Sequence, residues 1–108
     1  MSVTSPNKTY KPFTYPWAME YAVESEKVHW IEAEAKLQDD VAQWQNGKLS
    51  SQEKNHITQI LRLFTQSDVA VGSNYLDHYV HKFKNNEIRA MLTSFAAREF
   101  IHQRAYAY

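Results

Sequence analysis

Apolar residues in the second half of the chain recur at helical spacing. Ile57, Ile60, Leu61, Phe64, Val71 and Tyr75 share one face of a helix. Asp68 interrupts that face, four residues after Phe64 and three before Val71, where the pattern asks for an apolar side chain. Ser50 and Glu53 have the spacing of a capping box, so the helix is predicted to start there and run to about residue 83. Beyond the turn signal Lys84-Asn85-Asn86, a further helix is predicted over 86–108, with Ile88, Met91, Leu92 and Phe95 on one face. Glu99, His102 and Tyr106 continue the same stripe. Two consecutive long helices therefore each place ionisable groups where a core should be.

The first half is less regular. Thr14-Tyr15-Pro16 opens a predicted helix over 16–27, since proline is tolerated in a first helical turn. Between Trp30 and Trp44 the sequence predicts a turn and a short helix, closed by Asn46-Gly47. Residues 1–14 are expected to form an extended arm ahead of the helices in 15–108. Glycine and proline count against a turn-rich β fold: there are only two glycines and three prolines, and the prolines all lie within the first sixteen residues. The chain is expected to be all-α. Its 108 residues suffice for one folding unit with a modest core.

Composition removes several functional classes. Twelve basic and twelve acidic side chains give a formal net charge of zero, so electrostatic attraction to nucleic acid or to an anionic membrane has no support. No run reaches the roughly 18 apolar residues of a membrane span, and the N-terminus lacks a signal-peptide core. With no cysteine there is neither a disulfide framework nor a thiolate metal site. A soluble, cytoplasmic protein is expected.

Carboxylates on an apolar stripe must be paired, protonated or bound to a cation. The sequence midpoint between Asp68 and Glu99 falls at Phe83-Lys84, beside the predicted turn. An antiparallel hairpin of the two long helices then puts Asp68 level with Glu99, each roughly 20 to 25 Å from the tip at about 1.5 Å per residue. One carboxylate from one helix and a Glu-x-x-His from its neighbour make half of the ligand set of a dimetal carboxylate bundle. Carboxylate oxygens with imidazole suit iron or manganese. The alternative is a polar cluster satisfied within the protein. Glu-x-x-His also occurs at Glu26–His29, where the first helix ends, and at Glu53–His56, where capping accounts for the glutamate. His78 and His81 lie in a polar stretch and read as surface groups.

Three segments, YPWAMEYAVESEKVHWIEAEAKLQDD, LFTQSDVAVGSN and SFAAREFIHQRAYA, occur in an order and at separations that resemble the small, radical-generating subunit of class I ribonucleotide reductase. The resemblance runs from about Tyr10 to the C-terminus. It implies a ferritin-like helical bundle, present only in its N-terminal part. It also implies that Asp68, Glu99 and His102 are ligands of a di-iron centre (manganese possible), that Tyr106 is the radical tyrosine, and that Trp30 relays electrons toward the large catalytic subunit. The implied activity is reduction of ribonucleoside diphosphates to deoxyribonucleotides. Family members continue well beyond the tyrosine, with a second carboxylate, a second Glu-x-x-His and a docking tail. The expected partners are therefore the large subunit and a second chain, which either supplies the C-terminal half or is another copy of this one. A non-catalytic helical fragment that dimerises through its apolar face is the alternative, and the chain alone is expected to be inactive.

Overall fold

A computed structural model describes residues 2–108, so Met1 of the expected arm lies outside it. The described residues form helices and no strands: α1 (Pro16–Lys27), a 3-10 turn (Glu32–Glu34), α2 (Gln38–Asn46), α3 (Ser51–Asn74), a π-helical segment (Tyr75–Tyr79), α4 (Val80–Lys82) and α5 (Asn86–Ala107). The molecule is elongated, 59 × 24 × 15 Å.

Local chemistry sets the helix starts. Pro16 occupies the first turn of α1, where a missing N–H costs nothing. The capping box at α3 is formed: the Glu53 amide donates to Ser50 Oγ at 3.1 Å and the Ser50 amide to Glu53 Oε2 at 2.7 Å. Asn85 caps α5 by accepting from the Ile88 amide at 3.2 Å. The closing turn of α2 needs glycine, because a Cβ at Gly47 would overlap the Gln43 carbonyl.

Helix α5 is the spine. It pairs antiparallel with α3, since Phe64 meets Tyr106, Asp68 meets Gln103, Gly72 meets Glu99 and Tyr75 meets Phe95. It pairs in the parallel sense with α1, because Ala18 packs on Ile88 and Leu92 while Ser25 reaches Arg98 farther along. The small side chains of Ala18 and Ala22 are both buried, which lets α1 lie close to α5. The chain then keeps running along α5, with Trp30 against His102 and Glu32 against Arg104.

The long helix expected over 50–83 is interrupted. Five residues, Tyr75–Tyr79, adopt π-helical geometry before the last turn. Aromatic contacts continue through the break, from Tyr75 to Tyr79 at 5.9 Å and from Tyr79 to Phe83 at 6.5 Å. These rings meet edge-on and tilted along one side as the helix nears the hairpin, and periodicity alone does not encode the widened turn.

The arm is docked. Asn7 Nδ2 donates to Glu87 Oε1 at 2.7 Å, Asn85 Nδ2 donates to Asn7 Oδ1 at 2.8 Å, and the Asn85 amide donates to the Val3 carbonyl at 3.1 Å. Glu87 and Asn85 are the largest fully buried side chains, at 0% and 1% exposure. An Asn7→Ala chain strands both partners, and each unsatisfied buried polar group costs about 1–3 kcal/mol. Thermal unfolding should therefore register a loss within that range or above it, whereas Thr9→Ala, on the exposed part of the arm, should be neutral.

Candidate metal centre

The antiparallel pairing of α3 and α5 gathers the three ionisable residues of the stripe. Asp68, Glu99 and His102 each offer one ligand atom, and all three atoms lie within 4.8 Å of one another. All three residues are half-buried. His102 Nδ1 stands 3.5 Å from Glu99 Oε2. Gln103 Nε2 donates to the Asp68 backbone carbonyl at 3.2 Å, tying the two helices at the site itself. Gly72 allows the close approach, because an ideal Cβ there would already touch Glu99 Cβ at 3.5 Å. A branched or long side chain at that position would separate the carboxylates.

The electrostatics follow from crowding two carboxylates and an imidazole on half-buried positions. Burial, then the Asp68 charge, raises the Glu99 pKa above the ordinary 4.5, and the nearby imidazole offsets this in part. Asp68 Oδ2 is shielded from solvent and accepts no hydrogen bond. Two crowded carboxylates, one with an orphaned oxygen, and an imidazole beside them fit a divalent cation of the iron or manganese kind.

The other sequence-predicted residues lie around this cluster. Trp30 stacks on the His102 imidazole, with ring centroids 6.1 Å apart and planes 28° apart. Its segment is anchored by Arg104, whose Nε donates to Glu32 Oε1 at 2.8 Å; that hydrogen bond holds the Glu32 pKa below its usual value. Tyr106, one helical turn beyond His102, packs against Phe64 at 5.5 Å and is 40% exposed. It borders an apolar groove of about 1130 Å³ that Val41, Trp44, Ile57 and Leu61 also line. Glu26, His29, Glu53, His56, His78 and His81 are exposed and join no cluster of three or more such ligands among the described residues.

Sequence reasoning missed two residues near the centre. Tyr75 faces it across Phe95, and burial, with Glu99 next, raises its phenol pKa. The bond from Gln103 to the Asp68 carbonyl has no sequence signal beyond the residue's place directly after His102.

Comparison with known proteins bears on the same residues. Residues 7–108 match the family described as ribonucleotide reductase, small chain. The whole chain is 41% identical to a probable ribonucleoside-diphosphate reductase small subunit of Invertebrate iridescent virus 6, of which it covers 30%. Over 100 residues, or 93% of the chain, it is 44% identical to the corresponding probable subunit of Invertebrate iridescent virus 3, covering 26% of that protein. It is 29% identical over 83 residues, 77% of the chain, to a ribonucleoside-diphosphate reductase small chain of Spisula solidissima. The chain thus spans less than a third of the length of these relatives.

Proposed function

Because the chain belongs to the ribonucleotide reductase small-chain family, we propose that it is an N-terminal portion of a ribonucleoside-diphosphate reductase small subunit and contributes half of that protein's dimetal centre. The observation that carries this reading is the convergence of Asp68, Glu99 and His102 with an orphaned oxygen on Asp68. The all-α pairing of α3 and α5 is consistent with the family's ferritin-like bundle. No helix among the described residues is long and apolar enough to cross a membrane.

In this reading Asp68 and Glu99 supply carboxylate oxygens and His102 supplies an imidazole nitrogen. Iron is the metal of choice, with manganese suited to the same donors. When bound, the dimetal group supplies the one-electron oxidising chemistry that a protein side chain lacks. The role of this chain is to hold three ligands, with Glu99 giving up its proton to the cation, and to place Tyr106 one turn from His102 as the phenol that gives up a proton and an electron. Trp30, stacked on His102, is assigned the route for the electron toward the large subunit. The product of the assembled enzyme is the deoxyribonucleotide.

Three ligands are too few for two metal ions, which in dimetal carboxylate bundles draw on about twice that number. Further ligands must come from outside these 108 residues. The apolar face of α3 supports such an association, since Leu63 is 63% exposed and Phe64 45% exposed. The missing ligands are a second carboxylate and a second Glu-x-x-His, carried on a polypeptide segment, whether continuous with these residues or separate, or else on a second copy of this chain. The test is iron and manganese bound per chain, measured with the chain alone and after adding a polypeptide with those ligands. A rise in bound metal on addition supports the reading. Equal binding by a chain lacking Asp68, Glu99 and His102 would overturn it.

A second expectation follows from Tyr106. With 40% of its surface exposed, an oxidised phenol there would meet water and reductants. The chain alone should show no persistent tyrosyl radical by electron paramagnetic resonance after anaerobic iron loading and exposure to dioxygen. A persistent signal that Tyr106→Phe removes would refute this.

A further inference from the structure

The segment from Val28 to Leu37 carries Trp30 but is not a long helix, and its only regular element is the turn Glu32–Glu34. It is nevertheless stiff. The Ile31 amide donates to Glu34 Oε2 at 2.7 Å, the Glu34 amide to the Ile31 carbonyl at 3.0 Å and the Ala35 amide to the Glu32 carbonyl at 3.2 Å. These bonds tie Ile31, the residue after Trp30, into the same turn as Glu32. Among the described residues, one side-chain hydrogen bond joins this segment to α5, from Arg104 Nε to Glu32 Oε1 at 2.8 Å. Arg104 follows His102 by two residues on the same helix. The ion pair and the Trp30–His102 stack thus fasten one rigid turn to one stretch of α5 at adjacent points.

We propose that Glu32 and Arg104 are positioning residues that hold the Trp30 ring in its tilted stack beside the His102 imidazole. Neither touches the candidate metal ligands through a hydrogen bond of its own; they act through the turn. A stacked indole restricts rotation of the His102 ring, and so favours the orientation in which Nδ1 faces Glu99. The contact is a geometric fact of this chain, and its importance for a metal centre rests on the functional reading above.

Nuclear magnetic resonance and hydrogen exchange on the full, metal-free chain provide the test. The ring protons of His102, assigned by their loss in His102→Gln, carry an upfield displacement from the face of Trp30 that Trp30→Leu removes. Arg104→Glu sets two carboxylates against each other. It is expected to lower the protection of the Glu34 and Ala35 amides by roughly two- to fivefold, the range of a partly exposed ion pair, and to move the His102 resonances toward their Trp30→Leu positions. Amides of α5 from Arg89 to Phe95 should keep their protection. Glu32→Gln, which leaves α5 untouched, should do the same to a smaller extent and decides the matter if Arg104→Glu fails to fold. The exchanged pair, Glu32→Arg with Arg104→Glu, should restore both signals. Unchanged protection and ring shifts in the single variants would overturn the proposal. So would an exchanged pair that stays perturbed while α5 remains protected. Because no cation is present, the outcome is separate from the functional reading: a chain that binds no metal but keeps a pair-dependent stack would refute that reading and leave the positioning role standing.

Discussion

Replacing Asp68 with alanine is expected to weaken divalent-cation binding by more than about a hundredfold. Residues that merely orient a metal ligand contribute about 10- to 100-fold in affinity, so removing one of three ligands should exceed the upper figure. A Mn2+ titration followed by the resonance of free Mn2+ reads this directly. The half-buried carboxylate of Asp68, with its orphaned oxygen, leaves little to repair the loss. Glu99→Gln should also abolish binding, yet stabilise the metal-free chain at neutral pH, because it removes a buried charge and its repulsion with Asp68. The direction of the Glu99 shift fixes the pH dependence. Its folded pKa is raised above 4.5, so the folded state holds the proton more tightly than the unfolded state does. The stability contributed by the protonated group is fully present below about pH 4.5 and is lost as pH rises through the raised value. A bound cation reverses the trend, because it requires the carboxylate. The gain in melting temperature on adding Mn2+ should therefore be larger at pH 7 than at pH 5. An equal gain at both would show that Glu99 is not the proton competitor.

Leu92→Ala is expected to remove a large fraction of the chain's stability. Leu92 belongs to a small buried cluster with Ala18 and Ile88, flanked by Val3, Tyr15, Tyr75, Val80, Phe83 and Met91. Truncating a buried leucine costs about 2–5 kcal/mol through lost transfer energy and the cavity left behind. A small domain has only about 5–15 kcal/mol in total, and this one has few other buried apolar residues to draw on. Urea unfolding followed by circular dichroism would measure the loss. Leu63→Ala, at a 63% exposed position, should change stability by under about 0.5 kcal/mol in the isolated chain. Comparable losses for the two would mean that the core does not lie between α1 and α5.

The helices were legible because their signals are local. The capping box at Ser50, the proline opening α1 and the cap at Asn85 each act within four residues, and each is found where the spacing puts it. The gathering of Asp68, Glu99 and His102 was legible for a different reason, since polar groups on an apolar stripe can only be tolerated if they meet. What the sequence did not disclose depends on tertiary contact. Glu87 resembles an ordinary acidic residue in a first helical turn, and nothing local says that Asn7 will bury it. The π-helical segment depends on rings from two elements packing together at Tyr75 and Phe95. Gln103 and Arg104 carry no local signal of their contacts, because their partners, the Asp68 carbonyl and the Glu32 carboxylate, are set by how the chain returns along α5.

The docking of the arm has a consequence for the order in which the molecule folds. Asn7 and Glu87 are 80 positions apart, so the contact is of long sequence range. Closing a loop costs entropy that grows with its length, and contacts of large sequence separation are made late unless others shorten the path first. The α3–α5 hairpin is such a shortcut, and α1 docked on it, itself a contact of 73 positions between Ser25 and Arg98, brings the arm close. The arm is expected to fasten last, over a bundle already assembled. Its contacts would then be absent from the folding transition state, and disrupting them should accelerate unfolding while leaving the folding rate almost unchanged. Stopped-flow measurements on Asn7→Ala would show that asymmetry. In this protein the arm acts as a latch: it sets how long the folded chain lasts and has little influence on how fast it forms.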